Sequence, residues 1–365
     1  MDDRIRSVLD VAFPDREVER VETAEPSWND KNETVSVAFA GDDGTGGGRT
    51  GGGGTPGGDR IYLKIAADGD ASRVAREEAV MKYVGRHAEV PVPTVLASGT
   101  GSTEDTERDG ETDPPVPYLA TAPMAGQRRL ELWYDDEADD ERRALLARQI
   151  GRTLGRLHDL RFERHGHIVG GDADGLELDA KPWTDVLVER IDRMADIAGE
   201  GRFSHHFEGV VAAVEENREL LDDAPAALVH GDPAHPNCIH APADRDANGD
   251  DAGEETAERV GLLDWEIAHV GDPARELRRT CRLQFGPLRS VGPDRLVAAF
   301  HAGYRETAGS LPDGFEARRP VYDAVTLLGA SGFFENWEHR FDEPTDELAD
   351  EVQAKMDERL AEIRT

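Results

Sequence analysis

Two short apolar runs of the sequence end in polar side chains: LVHGDPAHPNCIH at residues 228–240 and VGLLDWE at residues 260–266. Asp232 follows the first run, Asn237 lies five residues later, and Asp264 ends the apolar part of the second run. If both runs are strands of one hairpin, these three oxygen ligands can converge at its mouth. A small number of oxygen ligands suits Mg²⁺, which keeps waters and takes further ligands from substrate phosphates. The two stretches therefore predict a cation site that works with a phosphate compound.

Lys64 is the candidate for holding phosphates. It is one of only five lysines, and it stands inside an otherwise apolar strand-like run, where an unpaired ammonium group would be costly. Glu77 and Glu78 are possible partners, and the helical phase of Val74 and Met81 favours Glu77. Phosphoryl transfer uses such a lysine together with an Asp that accepts the proton of the attacking hydroxyl, and with Asn and Asp ligands for the metal.

The pattern of apolar residues predicts an α+β protein with two lobes, 1–123 and 124–365. The first lobe is expected to be rich in strands with one helix at 71–87, and the second to be mainly helical with a β-like island at 227–263. The predicted strands of the first lobe include 35–39, 60–66 and a strand at 118–126 that ends in a turn. The predicted helices of the second lobe are 141–160, 183–198, 207–221, 295–307, 319–337 and 345–363.

Three segments have the composition of inserted loops: 41–59, 100–115 and 241–258. Each is polar and punctuated by Gly or Pro, and each separates two strand-like runs. The first contains eleven glycines, but its low-complexity sequence lacks the GK[ST] ending of a phosphate-binding loop. We expect the three segments to add charge and flexibility and no site residue.

Charge and composition limit the classes of function. The 42 Lys and Arg and the 76 Asp and Glu residues give a net charge of −34, and this dispersed acidity disfavours nucleic-acid binding. No apolar stretch approaches the roughly 18 residues of a membrane span, and the N-terminus has no signal-peptide pattern. Cys238 and Cys281 are too few for a disulfide framework. We expect a cytoplasmic chain without a membrane or nucleic-acid partner.

The dispersed carboxylates and the low lysine content also suit a cytoplasm that holds molar salt. At such ionic strength the Debye length is only about 3 Å, so repulsion among surface carboxylates costs little. A halophilic source is therefore one hypothesis, and an acidic protein of ordinary salt conditions is the alternative.

The motifs together resemble those of the aminoglycoside phosphotransferase and choline kinase-like family, which has the eukaryotic protein kinase fold. His-Gly-Asp at 230–232 with Asn237 is similar to the family's catalytic motif, and Asp-Trp at 264–265 with Gly-Asp-Pro at 271–273 is similar to its metal motif. The resemblance spans most of the chain. It implies transfer of the γ-phosphate of MgATP to a hydroxyl of a small molecule that is aminoglycoside-like, choline-like or sugar-like.

The resemblance also implies roles for single residues. Asp232 is implied as the catalytic base, and Asn237 and Asp264 as ligands of Mg²⁺. Lys64 is implied as the residue that holds the α- and β-phosphates of ATP, with Glu77 as its ion-pair partner. The N-terminal lobe would then bind the nucleotide, and the C-terminal lobe would carry catalysis and the acceptor site.

Further nucleotide contacts follow from position in the resemblance. Ala122 and Met124 occupy the hinge that lies against adenine. Ser27, Asn29 and Asn32 occupy the turn of the nucleotide loop, where they could cap phosphates. That turn lacks the GxGxxG of protein kinases, and a solvated turn without a role is equally compatible with its sequence.

Two other classes of function stay open. His235, Cys238 and His240 could form a zinc site and make the chain a metal-dependent hydrolase, although no HExxH or CxxC spacing is present. A nucleotide-binding pseudokinase that regulates a partner is the second alternative. The chain also departs from the family pattern at Glu266, which follows the Asp-Trp pair, and at Glu276, where Asp is usual.

Overall fold

The computed structural model describes residues 2–24, 32–40, 60–99, 116–130, 133, 139–242, 258–286 and 292–363. The chain divides into two compact units. The first unit comprises Met1–Gly126, Val169–Glu177 and Leu262–Ile267, and the second comprises Gln127–Ile168, Leu178–Gly261 and Ala268–Thr365. The predicted boundary at residue 123 stays a prediction. Of the three predicted inserted loops, all but the ends of the third lie outside the described residues.

A five-stranded antiparallel sheet is the centre of the first unit. Its strands are β1 (Val18–Thr23), β2 (Asn32–Phe39), β3 (Arg60–Ala66), β4 (Val95–Gly99) and β5 (Tyr118–Thr121), and its helices are α1 (Asp3–Ala12) and α2 (Ala71–His87). The strand order is β1-β2-β3-β5-β4. Ile61, Leu63 and Ile65 alternate into a core that also holds Leu9 of α1. Because side chains alternate along β3, Lys64 lies on the opposite face of the sheet.

The second unit is mainly helical. Its helices are α3 (Asp140–Leu157), α4 (Trp183–Ala198), α5 (Ser204–Glu216), α6 (Arg218–Asp222), α7 (Pro273–Thr280), α8 (Asp294–Ala308), α9 (Phe315–Ser331), α10 (Phe334–Trp337) and α11 (Thr345–Ile363). Helices α3 and α8 pack so closely that Gly303 of α8 has no room for a side chain. A Cβ atom there would lie only 1.8 Å from the carbonyl oxygen of Arg148 in α3. No helix in the described parts of the chain is long and apolar enough to cross a membrane.

The remaining strands form two small sheets. These strands are β6 (Gly166–Gly171), β7 (Leu176–Ala180), β8 (Ala227–Val229), β9 (Cys238–Pro242), β10 (Glu258–Leu262) and β11 (His269–Gly271). One sheet has the order β7-β6-β11-β8, and the other pairs β10 with β9. Strand β8 is an edge strand that pairs with β11, so the segment after Val229 leaves the sheet at a fixed point.

The predicted α+β class, with a β-rich N-terminal region and a larger helical region, is confirmed. The first region contains a second helix, α1, where one helix was predicted, and the helix predicted at 141–160 ends at Leu157. Two other predicted helices are divided. The helix predicted at 207–221 is divided at Asn217, whose side-chain amide donates to the Ala213 carbonyl 2.8 Å away and ends α5. The helix predicted at 319–337 is interrupted because the backbone at Phe333, with φ −114° and ψ 28°, leaves helical geometry between α9 and α10.

Candidate functional site

Lys64 lies among three carboxylates of the first unit, a group that we call the Lys64 cluster. Its Nζ is 2.7 Å from Glu77 Oε2, 2.8 Å from Asp264 Oδ1 and 3.1 Å from Glu266 Oε2. The side chains of Lys64, Glu77 and Glu266 are largely buried, whereas 43% of the Asp264 side chain is exposed. The structure thus brings Lys64, Glu77 and Asp264 together, and it adds Glu266, to which the sequence assigned no role.

Helix α2 supplies Glu77. Asp70 caps the helix by accepting a hydrogen bond from the Ser72 N–H at 2.9 Å. Val74 and Met81 are buried on the same side as Glu77, which is the helical phase seen in the sequence. Glu78 points elsewhere and pairs with Lys82 on the surface of α2. Glu77 is therefore the glutamate that contacts Lys64.

The backbone after β10 is strained where it presents Asp264. Asp264 has φ 63°, the left-handed region that side-chain-bearing residues enter at a cost of about 1–3 kcal/mol. The buried Trp265 next to it holds the turn: its backbone N–H donates to Glu77 Oε1 at 3.3 Å, and its indole N–H donates to the Leu262 carbonyl at 3.0 Å. The strain is tolerated because Trp265 anchors the segment.

The charges of the Lys64 cluster do not balance, because one ammonium group faces three carboxylates. Burial alone would lower the pKa of Lys64, but the three carboxylates outweigh it and hold that pKa well above its usual value. Burial and the neighbouring charges of Asp264 and Glu266 raise the pKa of Glu77 even though Lys64 opposes the shift. Both shifts express the same surplus of negative charge.

A divalent cation would remove this surplus. Oxygen atoms of Glu77, Asp264 and Glu266 lie within 4.8 Å of one another, and they form the one such group among the residues that the structure describes. Carboxylate oxygens are the ligands that Mg²⁺ prefers. The residues present therefore fit a magnesium ion.

Asn32 and Arg76 hold Glu266 in the cluster. The Asn32 side-chain amide donates to the Glu266 carboxylate, and Arg76 Nη1 donates to the Glu266 carbonyl at 2.8 Å. The Asn32 Oδ1 atom is buried and accepts no hydrogen bond within the described part of the chain. Asn32 thus lies beside the predicted phosphate-binding lysine. Ser27 and Asn29, the other two predicted loop contacts, lie outside the described residues.

The predicted hinge follows β5. The Ala122 N–H already donates to the Thr94 carbonyl at 2.9 Å. Pro123 has no N–H to offer. At the hinge, the backbone groups left for an adenine ring are therefore carbonyls and the N–H of Met124, whose role stays a prediction.

Asp232 follows β8 in the second unit, within a segment that we call the Asp232 loop (residues 230–237). Asp232 Oδ1 accepts from Arg279 Nη2 at 2.9 Å, and Oδ2 accepts from Asn237 Nδ2 at 3.2 Å. The same amide donates to the Asp232 carbonyl at 2.9 Å, so Asn237 closes the loop on itself. About a third of the Asp232 side chain, 32%, is exposed.

Within the Asp232 loop, residues 230–234 contain no helix. His235–Asn237 form one 3₁₀ turn, in which the fixed φ of Pro236 suits the helical geometry. This turn places the Asn237 amide over Asp232. Gly231, with φ 89°, supplies the left-handed residue that turns the chain just before Asp232.

Glu276 of α7 holds the backbone of the Asp232 loop in place through hydrogen bonds. Its carboxylate accepts from the His230 N–H at 3.1 Å, from the Gly231 N–H at 2.5 Å and from His158 Nε2 at 2.8 Å. Burial alone would raise the pKa of Glu276, but the hydrogen bond and charge of His158, the charge of His230 and the Gly231 N–H together hold it below its usual value. The glutamate that departs from the family pattern therefore positions the backbone around Asp232.

The Gly-Asp-Pro motif starts α7. Asp272 caps the helix through the Ala274 N–H at 2.9 Å, and Pro273 occupies the first turn, where its missing N–H is not needed. The buried Asp272 carboxylate also accepts from Arg318 Nε and from the Tyr322 hydroxyl, both at 2.6 Å. The motif thus fixes the helix that carries Glu276 and Arg279.

The zinc alternative has no assembled ligand set. Among the described residues, His235, Cys238 and His240 do not form a metal-ligating group. His235 instead stacks on Trp133 with ring centroids 4.5 Å apart, and burial lowers its pKa to about 4. Burial raises the pKa of the Cys238 thiol to about 12, which disfavours the thiolate that a zinc site needs.

Sequence reasoning missed two residues of these sites. Glu266 was visible as a departure after the Asp-Trp pair, and Arg279 was visible in the repeat of arginines that follows the Gly-Asp-Pro motif. Neither signal names a partner. Glu266 meets Lys64 across 202 residues of sequence, and Arg279 meets Asp232 across 47, so only the folded chain reveals both contacts.

Known proteins of several kinds resemble this chain. The phosphotransferase enzyme family (APH) matches residues 51–321, which include Lys64, Glu77, Asp232 and Asp264. Among proteins of curated function, no sequence matches the chain significantly.

Solved structures share its fold. A Ralstonia eutropha JMP134 protein, provisionally described as an aminoglycoside phosphotransferase, has a TM-score of 0.57 and 14% identity, with 99% of this chain and 96% of that chain covered. A type VIII aminoglycoside-3'-phosphotransferase has a TM-score of 0.51 and 20% identity, with 89% and 98% covered. An ethanolamine kinase of Plasmodium vivax has a TM-score of 0.50 and 10% identity, with 94% and 83% covered.

At these identities the structural likenesses show the fold, which is kinase-like. The family match covers most of the chain and contains both the Lys64 cluster and the Asp232 loop. The chain therefore belongs to the phosphotransferase enzyme family and is a small-molecule kinase.

Proposed function

We propose that this kinase transfers the γ-phosphate of ATP, bound with Mg²⁺, to a hydroxyl group of a small molecule. The observation that carries the proposal is the Lys64 cluster, in which three carboxylates share one lysine. Such an excess of carboxylate is costly in a buried place unless a cation joins it. A nucleotide that arrives with its metal supplies that cation together with phosphates for Lys64.

The nucleotide would be held mainly by residues of the first unit. Lys64 would bind the α- and β-phosphates, and Glu77 would keep its ammonium group charged and oriented. Asp264 and Asn237 would hold Mg²⁺, which, when bound, neutralises charge that develops on the phosphates. Ala122 and Met124 would face the adenine ring, and Asn32 would steady Glu266 beside the phosphates.

Asp232 would act on the acceptor. In the proposed reaction it orients the attacking hydroxyl and accepts its proton, while the oxygen of that hydroxyl forms a bond to the γ-phosphorus and ADP leaves. Its exposed carboxylate and its attachment to the Asn237 amide support this role, because a general base needs both access and a fixed orientation. Glu276 would act through the backbone of the Asp232 loop as a positioning residue.

The acceptor is proposed to be a small hydroxyl compound. Structures that share the fold carry the names of enzymes for aminoglycosides and ethanolamine. The high negative charge of the chain is in keeping with a small-molecule acceptor rather than a nucleic acid.

The experiment is a turnover screen with MgATP and a panel of hydroxyl compounds in buffers of high KCl. We expect magnesium-dependent release of ADP that rises with one class of acceptor. Lys64→Met should abolish most of this turnover, whereas Lys82→Met, which removes a surface lysine of α2, should leave it unchanged. Nucleotide binding without turnover would favour the pseudokinase alternative, and zinc in the purified protein would favour the metal-dependent hydrolase.

A further inference from the structure

Arginines repeat along one face of α7 and the turn that follows it. Arg275, Arg279 and Arg282 are spaced by four and three residues, so they lie on one helical face, which we call the arginine face. The last of them lies in a π-helical turn, Cys281–Phe285, and such turns are frequent at functional sites. Arg279 reaches Asp232, so this face adjoins the proposed catalytic base.

Two of the three arginines of this face form no ion pair with a carboxylate of the described residues. Arg278, on the neighbouring face, is satisfied by Asp323 at 2.6 Å. By contrast, Arg275 and Arg282 have no carboxylate within ion-pair distance in the described parts of the chain, and their Nε atoms are buried without a hydrogen-bond partner. Arg275 is only 5% exposed. Among the described residues, Asp232 is thus the one carboxylate in an ion pair with this face, and its partner is Arg279.

The pKa values of Arg275 and Arg282 reflect their burial and their lack of a paired carboxylate. Burial and the adjacent charge of Arg279 lower the pKa of both Arg275 and Arg282 to about 10, although the charges of Glu276 and Asp272 oppose the shift at Arg275. Asp232 partly opposes this shift at Arg282, which places that guanidinium within electrostatic range of the base. A buried guanidinium group without a partner is destabilising, and chains keep such groups where a ligand completes them.

We propose that the arginine face binds an anionic group, a carboxylate or a phosphate, of the acceptor molecule. This inference rests on the proposed function, since it assigns the substrate class of the same site. Arg279 and Arg282 make the contact, and Arg275, one turn away, adds to the positive potential. The acceptor is then a hydroxy acid or a hydroxyl compound that already carries a phosphate.

The same contact prepares the base. Arg279 Nη2 donates a hydrogen bond to Asp232 Oδ1, and the Asn237 amide donates one to Oδ2. An anionic acceptor offers Arg279 a second carboxylate or phosphate, and charge-assisted bonds to such groups are among the strongest hydrogen bonds. Arg279 then turns toward the acceptor, and Oδ1 is free to accept the hydroxyl proton. Binding of the correct acceptor and release of the base become one event.

Cationic acceptors do not suit this face. Aminoglycosides and ethanolamine carry ammonium groups, which three guanidinium groups would repel. In this proposal the acceptor of this chain is anionic, whereas aminoglycosides and ethanolamine are cationic.

The test uses acceptor fragments matched in skeleton and different in charge. Binding of glycerate, glycerol 3-phosphate, glycerol and ethanolamine to the full chain is measured by calorimetry at constant KCl, without nucleotide. We expect the two anions to bind and the other two compounds not to bind. Arg279→Leu and Arg282→Leu should weaken anion binding by about 10- to 100-fold, the range for a hydrogen bond to a charged group. Arg295→Leu, at an exposed arginine, is the matched control.

A stability measurement separates a binding role from a structural one. Because the buried Arg282 Nε has no hydrogen-bond partner among the described residues, Arg282→Leu should keep or raise the melting temperature while it weakens anion binding. Arg282→Lys should retain part of the binding. A large loss of stability in Arg282→Leu, or anion binding that is unchanged in this variant, would overturn the proposal. It would also be overturned if neither anion bound the wild type even at concentrations well above millimolar.

Two further arms distinguish the acceptor site from the nucleotide site. Lys64→Met should keep anion binding, and a non-hydrolysable ATP analogue should not compete with glycerate. Competition would assign the arginines to the nucleotide phosphates and contradict the acceptor assignment. If the wild type shows no MgATP turnover and still binds anions through Arg282, the proposed function fails while the anion site stands.

Discussion

The Lys64 cluster and the arginine face carry opposite imbalances of charge. In the first unit three carboxylates surround one lysine, and in the second unit one of three arginines, Arg279, pairs with a carboxylate, Asp232, among the described residues. Each group therefore carries an excess of one sign of charge: negative in the Lys64 cluster and positive on the arginine face. This difference supports the ligands that we propose for the two sites, a divalent cation with phosphates at one and an anionic acceptor at the other.

The two sites also differ in how their carboxylates are held. Glu77 meets mainly other carboxylates and a single ammonium group, whereas Glu276 meets only hydrogen-bond donors. Their pKa values accordingly move in opposite directions, up for Glu77 and down for Glu276. A buried carboxylate that is well satisfied supports the fold, and one that is poorly satisfied marks a place for a ligand.

The largest expected effect is at the base of the second unit. Asp232→Asn removes the proton acceptor and keeps the shape of the side chain, so kcat should fall by about 10²- to 10⁴-fold, the contribution of a general base. Steady-state ADP release with a saturating acceptor measures the change. Asp342→Asn, at an exposed surface carboxylate, is the control and should change nothing. An active Asp232→Asn would remove Asp232 from its proposed role.

The same substitution at Glu276 and at Glu77 should separate the two kinds of carboxylate. The Glu276 carboxylate accepts three hydrogen bonds, whereas the amide of Glu276→Gln has one accepting oxygen and one donating nitrogen. This substitution should therefore lower the free energy of unfolding by about 3 kcal/mol at pH 7. Glu77→Gln relieves the surplus of negative charge and should change it by less than about 1 kcal/mol. Urea denaturation without nucleotide or metal measures both.

The pH dependence of these variants has opposite signs. The lowered pKa of Glu276 means that its contribution is present above its unfolded pKa, about 4.3, and is lost as pH falls through the folded pKa. The raised pKa of Glu77 means that its contribution is present below the unfolded pKa and is lost as pH rises through the folded pKa. Glu276→Gln should therefore narrow its stability gap to the wild type at low pH. A gap that widens there would contradict the assignment.

Salt should act on the surface and spare the two buried sites. With a net charge of −34, the chain should unfold at higher temperature as KCl rises toward molar concentration, because repulsion among surface carboxylates is screened. The pKa-linked difference between the Glu77 and Glu276 variants should persist, since buried pairs are screened much less. A melting temperature that does not rise with KCl would count against the halophilic hypothesis.

The smallest effect is expected at the glycine-rich loop. The closure entropy of a surface loop changes by only about 0.6 kcal/mol for each doubling of its length. Deletion of residues 44–58 should therefore leave kcat and the KM for ATP within a few-fold of the wild type. Complete loss of ATP binding would show that these glycines belong to the nucleotide site.

The sequence predicted the elements whose periodicity is long and uninterrupted. Helices α2, α4 and α11 have the predicted bounds, because each repeats its apolar positions over four or more turns. The short strands β6 and β7 were not predicted. GHIVGG and LELDA are too short and too poor in apolar residues for a pattern, and their place depends on pairing with strands far away in the sequence.

The candidate site shows the same division between local and distant information. Lys64 and Asp264 stand out locally, one as a rare lysine in an apolar strand and the other as a carboxylate at the end of one. Glu266 and Arg279 look like ordinary surface charges in the sequence. Their significance lies in their partners, Lys64 and Asp232, which are distant in the sequence and which no local pattern reveals.

The central claim is that Lys64, Asp264 and Mg²⁺ hold ATP while Asp232 acts on the acceptor. Equilibrium binding of ATP to the wild type, Asp264→Asn and Asp232→Asn, each with and without MgCl₂, tests it most directly. We predict that Asp264→Asn loses the magnesium-dependent part of ATP affinity and that Asp232→Asn keeps the wild-type affinity within a few-fold. Equal losses in the two variants, with turnover following binding alone, would contradict the claim.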